Sequence, residues 1–137
     1  MMTAMQSHAY YKDLFQQLLN REELAYETTS SLIDVALPGR QVARVQTQVY
    51  LRGRLLTFYC PCLLRVGQER EAQLAALLNE LNCSYPDIKF TYAEGAVRLT
   101  LQSFILKDRM VCQCLLTLKR LTEVADRVQT QIKYVLK

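Results

Sequence analysis

The chain is poor in the residues from which most local catalytic signatures are built. It has one histidine, His8, close to a terminus, so no Ser or Cys nucleophile has an evident imidazole base. Its four glycines are isolated singles, and none belongs to a phosphate-cradling loop or a dinucleotide fingerprint. HExxH and EF-hand patterns are missing as well. The paired carboxylates, Glu22 with Glu23 and Glu69 with Glu71, sit in polar helix-end contexts where acids are expected anyway. No apolar run is long enough to cross a bilayer. The first residues, "MMTAMQSHAYYKDLF", lack the basic start and apolar block of a secretory signal. The expectation is a cytoplasmic protein that is not an enzyme, takes no cofactor and contacts no membrane.

What is present describes a globular domain. At 137 residues, half of them hydrophobic and 22% charged, the chain suits a single domain over 1–137 with a real core. The net charge of +4 is too modest to imply a nucleic-acid partner by itself. Its distribution is uneven. Between Asp34 and Glu69 there is no acid, yet Arg40, Arg44, Arg52, Arg54 and Arg65 fall in that window. A solvated sheet face explains such a run, and so does a surface for an acidic partner.

Five cysteines, an odd number, fit reduced thiols better than a disulfide framework. Four form two close pairs, Cys60 and Cys62 in "FYCPCLLRV" and Cys112 and Cys114 in "MVCQCLL". In a regular strand Cys60 and Cys62 would face together. In a helix Cys112 and Cys114 diverge by roughly 200°. One intervening residue is also fewer than the two to four usual between structural zinc thiolates, so no metal is assigned. Cys114 falls on an apolar helix stripe, and Cys83 follows a helix end; both read as packed thiols.

Glycine and proline divide the chain. Pro38-Gly39, Gly53, Gly67 and Gly95 separate five β runs in groups of three and two. Helical spacing covers about Ser7 to Leu24, with Tyr11, Leu14, Phe15, Leu18 and Leu19 recurring and Ser7 available as cap. It covers about Gln68 to Leu81, where Leu74, Leu77, Leu78 and Leu81 share a stripe and Asn82 is a stop. It also covers about Asp108 to Leu136, with Asp108 as cap. In that last helix Val111, Cys114, Leu118, Leu121, Ala125, Val128, Ile132 and Val135 step by 3 and 4. The order α-β-β-β-α-β-β-α implies an α+β domain, a mainly antiparallel sheet with helices packed on one face.

The second β run alternates, Val45, Val49 and Leu51 against Arg44, Gln46 and Gln48. The third does not: Leu55, Leu56, Phe58, Tyr59, Leu63 and Leu64 put bulk on both faces, and Pro61 marks an edge or a bulge. A strand apolar on both faces of a one-layer sheet needs a second cover, which a partner or a second copy would supply. A homodimeric protein-interaction module, chaperone-like or regulatory, is therefore expected. Its partner-binding residues would be Leu55, Tyr59 and Leu63 with Arg52 and Arg54, and Leu63→Glu would give a folded monomer. The alternative is a single-stranded nucleic-acid binder, in which the arginines of the second and third runs work with Tyr50, Phe58 and Tyr59. The weak overall charge and the missing RRM signature place it second.

The element order resembles the type III secretion chaperone-like fold, and within it the YbjN-type domains. The resemblance rests on the triple run "LPGRQVARVQTQVYLRGRLLTFYCPCLLRV", the "AALLNELN" helix and the "KFTYAEGAVRLTLQSFI" hairpin that follows it. It implies a small, non-enzymatic, often dimeric protein, and it carries no catalytic or cofactor residues.

Overall fold

A computed structural model describes residues 4–29, 32–37, 45–52, 55–104 and 110–136, with side chains from 10 onward in the first segment and from 113 in the last. The Pro38-Gly39 and Gly53 turns, Arg40, Arg44, Arg54, Asp108 and the side chains of His8, Val111 and Cys112 lie outside this description.

Helix α1 spans Ala4–Arg21, starting a turn before Ser7, which lies within the helix and not at its cap. Tyr11, Phe15 and Leu19, four residues apart, are buried, as that spacing dictates. The helix ends where Glu23 turns left-handed (φ 56°). Leu24 N–H then reaches back to Leu19 O (3.0 Å) and Glu23 N–H to Asn20 O (3.1 Å). This is the Schellman closure, built here without its usual glycine.

Six strands follow in one antiparallel sheet: β1 (Tyr26–Thr28), β2 (Leu32–Leu37), β3 (Val45–Arg52), β4 (Leu55–Arg65), β5 (Lys89–Ala93) and β6 (Ala96–Phe104). Their spatial order is β1-β2-β3-β4-β6-β5. The three-residue β1 is too short to carry a periodic signal, so the sequence reading finds five strands and the structure six. The β5–β6 hairpin turns on Glu94 (φ 54°) and Gly95 (φ 78°), the two-residue loop whose positive φ values match strand twist. After β4 a single 3-10 turn, Gln68–Arg70, leads into α2 (Glu71–Ser84), and α3 is Met110–Val135.

All three helices cover one face of the sheet. The strands alternate accordingly: Ile33, Val35, Leu37, Val49, Leu56, Phe58, Val97, Leu99 and Leu101 point into the core. The α2 stripe of Leu74, Leu77, Leu78 and Leu81 is buried, and so are Cys114, Leu118, Leu121, Ala125, Val128 and Ile132 of α3. From Cys114 to Ile132 the long apolar seam is thus consumed within its own chain; among its described members only the last, Val135, is exposed. Each such side chain removed from water contributes about 1.5–3 kcal/mol before the entropy of ordering is set against it.

Two local devices depart from regularity. The β4–β6 register shifts between Cys60, opposite Leu99, and Leu64, opposite Val97. Four steps on β4 therefore match two on β6. The β3–β4 pairing runs from Arg52 opposite Leu55 to Gln48 opposite Tyr59, so Pro61 stands beyond its last pair. A residue without an N–H is tolerated at a bulge like this one. Although β4 is an inner strand, its proline costs no ladder bond to β3. The second device is Asn82, near the end of α2. It donates Nδ2–H to Phe90 O (3.0 Å) and accepts Phe90 N–H on Oδ1 (2.7 Å). One side chain thereby occupies both backbone groups of a residue on the edge strand β5. Among the described residues no helix is long and apolar enough to cross a membrane.

Candidate functional site

The face of the sheet opposite the helices is the principal uncovered feature. Strand register arranges its side chains in rows. Arg52, Leu55 and Phe104 form one row. Leu32, Tyr50, Thr57 and Gln102 form the next. Asp34, Gln48, Tyr59, Thr100 and Lys89 form a third. Polar contacts tie parts of it together: across strands Gln46 Nε2–H donates to Asp34 Oδ1 (2.7 Å) and Gln102 Nε2–H to Thr57 Oγ1 (3.3 Å), and within β3 Tyr50 O–H donates to Gln48 Oε1 (2.9 Å). Farther along, Arg98 pairs with Glu94 at 3.2 Å.

Within this face lies an apolar corner of Leu32, Tyr50, Leu55, Tyr59 and Phe104. Phe104 is 62% exposed, a large cost for an aromatic side chain left in water. Leu55 and Tyr59, expected to bind a partner, are on this face, and so is Arg52. Arg54 lies outside the description. Leu63 does not join them: it is 6% exposed and belongs to the core on the helix side. The bulge at Pro61 is the physical reason. Inward residues fall at 56, 58 and 60 before it and at 63 after it, so the apparent two-sided greasiness of this strand is a shift of phase. Phe58 is also buried, which removes it from any base-stacking surface and leaves Tyr50 and Tyr59. Sequence reasoning missed Leu32 and Phe104. Only their register opposite Tyr50 and Leu55 reveals them.

The arginine window does not form one patch in the described residues. Arg52 neighbours the start of β4 and Arg65 ends it, which at about 3.3 Å per residue places them roughly 30 Å apart.

The same bulge separates the CPC thiols. Cys60 is buried and Cys62 exposed, so the pair does not face together as a regular strand would require. Burial pushes the Cys60 thiol from 9.0 up to about 11, opposed in part by a hydrogen bond from the Cys62 backbone. Cys114 is buried and Cys83 exposed. No cluster of three or more potential metal ligands occurs among the described residues.

No protein-family model matches the chain, and no curated protein does so significantly. Among solved structures, the crystal structure of YbjN from E. coli, a proposed transcription regulator, superposes with a TM-score of 0.60. The superposition covers 88% of this chain and 92% of that one at 11% identity. The fold is that of YbjN. At this identity the likeness with YbjN carries architecture and no residue roles. It supports the YbjN half of the expected resemblance, while the secretion-chaperone half gains nothing from it.

Proposed function

We propose that this protein is a non-enzymatic interaction module of the cytoplasm that docks a protein on its open sheet face, and that in the absence of another partner a second copy occupies that face. The observation that carries the reading is the corner of Leu32, Tyr50, Leu55, Tyr59 and Phe104 on a face that none of the described helices covers. Size supports it. Five inter-strand spacings of about 4.8 Å and eight steps of about 3.4 Å along β6 give a face of roughly 650 Å². That is close to the ~800 Å² per partner of a standard interface. Both sheet edges are poor places for an added strand instead. The outer β1 is three residues long, and Asn82 occupies the edge groups of Phe90 on β5. A regulatory role is in keeping with the YbjN likeness.

Light scattering tests this reading. The native chain should have a mass near twice 15.9 kDa, and Tyr59→Glu should give a folded species of half that mass. Leu63→Glu, aimed at the core, should unfold the chain. A native monomer, or a Tyr59→Glu dimer, would remove the second copy from this face. Salt-dependent retention on single-stranded DNA, lost in Arg52→Glu, would replace the protein partner with a nucleic acid.

A further inference from the structure

A second concavity lies on the helix side, at the far end of β4 from the apolar corner. It is a cleft of about 250 Å³ between the end of β4, the Gly67 turn and the last turn of α3. Its floor is apolar, formed by Val66 and the fully buried Ile132 with Leu136 beside them. Its rim is cationic: Arg65, Arg70 and Lys133 all border it, and no carboxylate of the described residues lines it. The ion pairs among the described residues use Arg98, Lys119 and Arg120 and leave these three cations without an acid. The Glu69 carboxylate lies against Gly67 and forms no ion pair with any of them among the described residues.

Helix capping accounts for only part of this charge. Arg70 donates to the Leu136 carbonyl and Gln73 Nε2–H to the Val135 carbonyl (3.4 Å), which satisfies the end of α3. A helix C-terminus carries about half a negative charge, well short of three cations. Arg65 uses one of its five donors on the Glu94 carbonyl, at 3.3 Å. The floor is also fixed in advance. Val66 N–H bonds Gly95 O (3.0 Å), and Tyr92 O–H bonds Val66 O (2.7 Å). A fixed apolar floor below a cationic rim is a preorganised receptor for an anion with a hydrocarbon body.

We propose that this cleft binds a small amphipathic anion. Its carboxylate or phosphate-monoester head is held by Arg65, Arg70 and Lys133, and its short hydrocarbon tail lies on Val66 and Ile132. Sites for drug-sized ligands run about 300–1,000 Å³, so this one suits something smaller. The site is independent of the open sheet face and lies on the other side of the sheet.

The test is an amide NMR titration of the full chain with hexyl phosphate and with hexanoate. Hexanol, hexylammonium and inorganic phosphate serve as controls. At least one amphipathic anion should give saturable shifts at Val66, Gly67, Ile132 and Lys133, and the tighter of the two identifies the head. Charge-assisted contacts of this kind make Lys133→Glu, a change at an exposed residue, weaken binding about tenfold or more. Arg65→Gln should act in the same direction, and Tyr59→Glu should leave the affinity unchanged. Absence of saturable shifts with both anions would overturn the proposal. So would hexanol or inorganic phosphate binding as tightly as the amphipathic anions, or affinity unmoved by both Lys133→Glu and Arg65→Gln.

Discussion

Replacing Asn82 with alanine removes two hydrogen bonds that no other described side chain makes to Phe90. The Asn82 amide holds the Phe90 carbonyl at 3.0 Å and the Phe90 N–H at 2.7 Å. Each such bond contributes about 0.5–1.5 kcal/mol net. Asn82 is only partly buried, so water can re-enter and satisfy the freed groups in part. The expected loss is therefore about 2 kcal/mol, in the middle of the range for two bonds. For a chain of this length, at about 2.1 cal/mol/K of unfolding entropy per residue, that is a fall in Tm of roughly 7 °C. Calorimetry reads the shift. Hydrogen exchange adds a local readout, since the Phe90 amide should lose protection while Leu99, inside the sheet, keeps it. The variant should also be more prone to association, because the freed groups lie on an edge strand. A Tm change below about 2 °C, with Phe90 still protected, would refute the reasoning and show that α2 and β5 are held by apolar packing alone.

Two further outcomes follow from buried groups. Thr47 on β3 is fully buried and its Oγ1 has no hydrogen-bond partner among the described residues, so Thr47→Val keeps the shape, removes an unpaired polar atom, and should raise stability by about 1–2 kcal/mol in urea unfolding; a loss of stability would mean that the hydroxyl is satisfied in solution. In the native state at pH 8 iodoacetamide should label Cys62 and Cys83 and spare Cys60. Because the Cys60 thiol is raised from 9.0 to about 11 when folded, the folded state holds its proton longer than the unfolded chain does. Its contribution is whole below pH 9 and fades toward pH 11, by roughly 3 kcal/mol. Cys60→Ala should flatten the pH dependence of the urea midpoint in that window, and an unchanged profile would contradict the assignment.

Much of the architecture was legible from periodicity. Leu74, Leu77, Leu78 and Leu81 needed only helical spacing to be placed in the core. The same is true of the α3 seam, because a stripe of that length has one way to leave water within a single chain. The Gly95 turn was legible because a two-residue hairpin loop demands positive φ. The candidate site was legible only in part. Leu55 and Tyr59 are picked out by their bulk in a run that does not look alternating; they stand away from the helices because β4 does alternate from its first residue as far as Cys60. Leu63 defied it because the bulge at Pro61 inserts residues that have no signature beyond the proline itself.

By itself the sequence determined the class of each long element, the stripe each helix buries, and the order of the elements along the chain, because these follow from side-chain spacing within a few turns or strand residues. Tertiary structure alone decided which strand neighbours which, and therefore that Phe104 stands beside Leu55 and Leu32 beside Tyr50. It alone turned Cys60 inward and Cys62 outward. It also gathered Arg65 and Arg70 with Lys133, a residue far from both in the chain, around one apolar floor. Pairing register and the meeting of distant segments are set by the free energy of the whole packed core, and no local window of the chain contains that quantity.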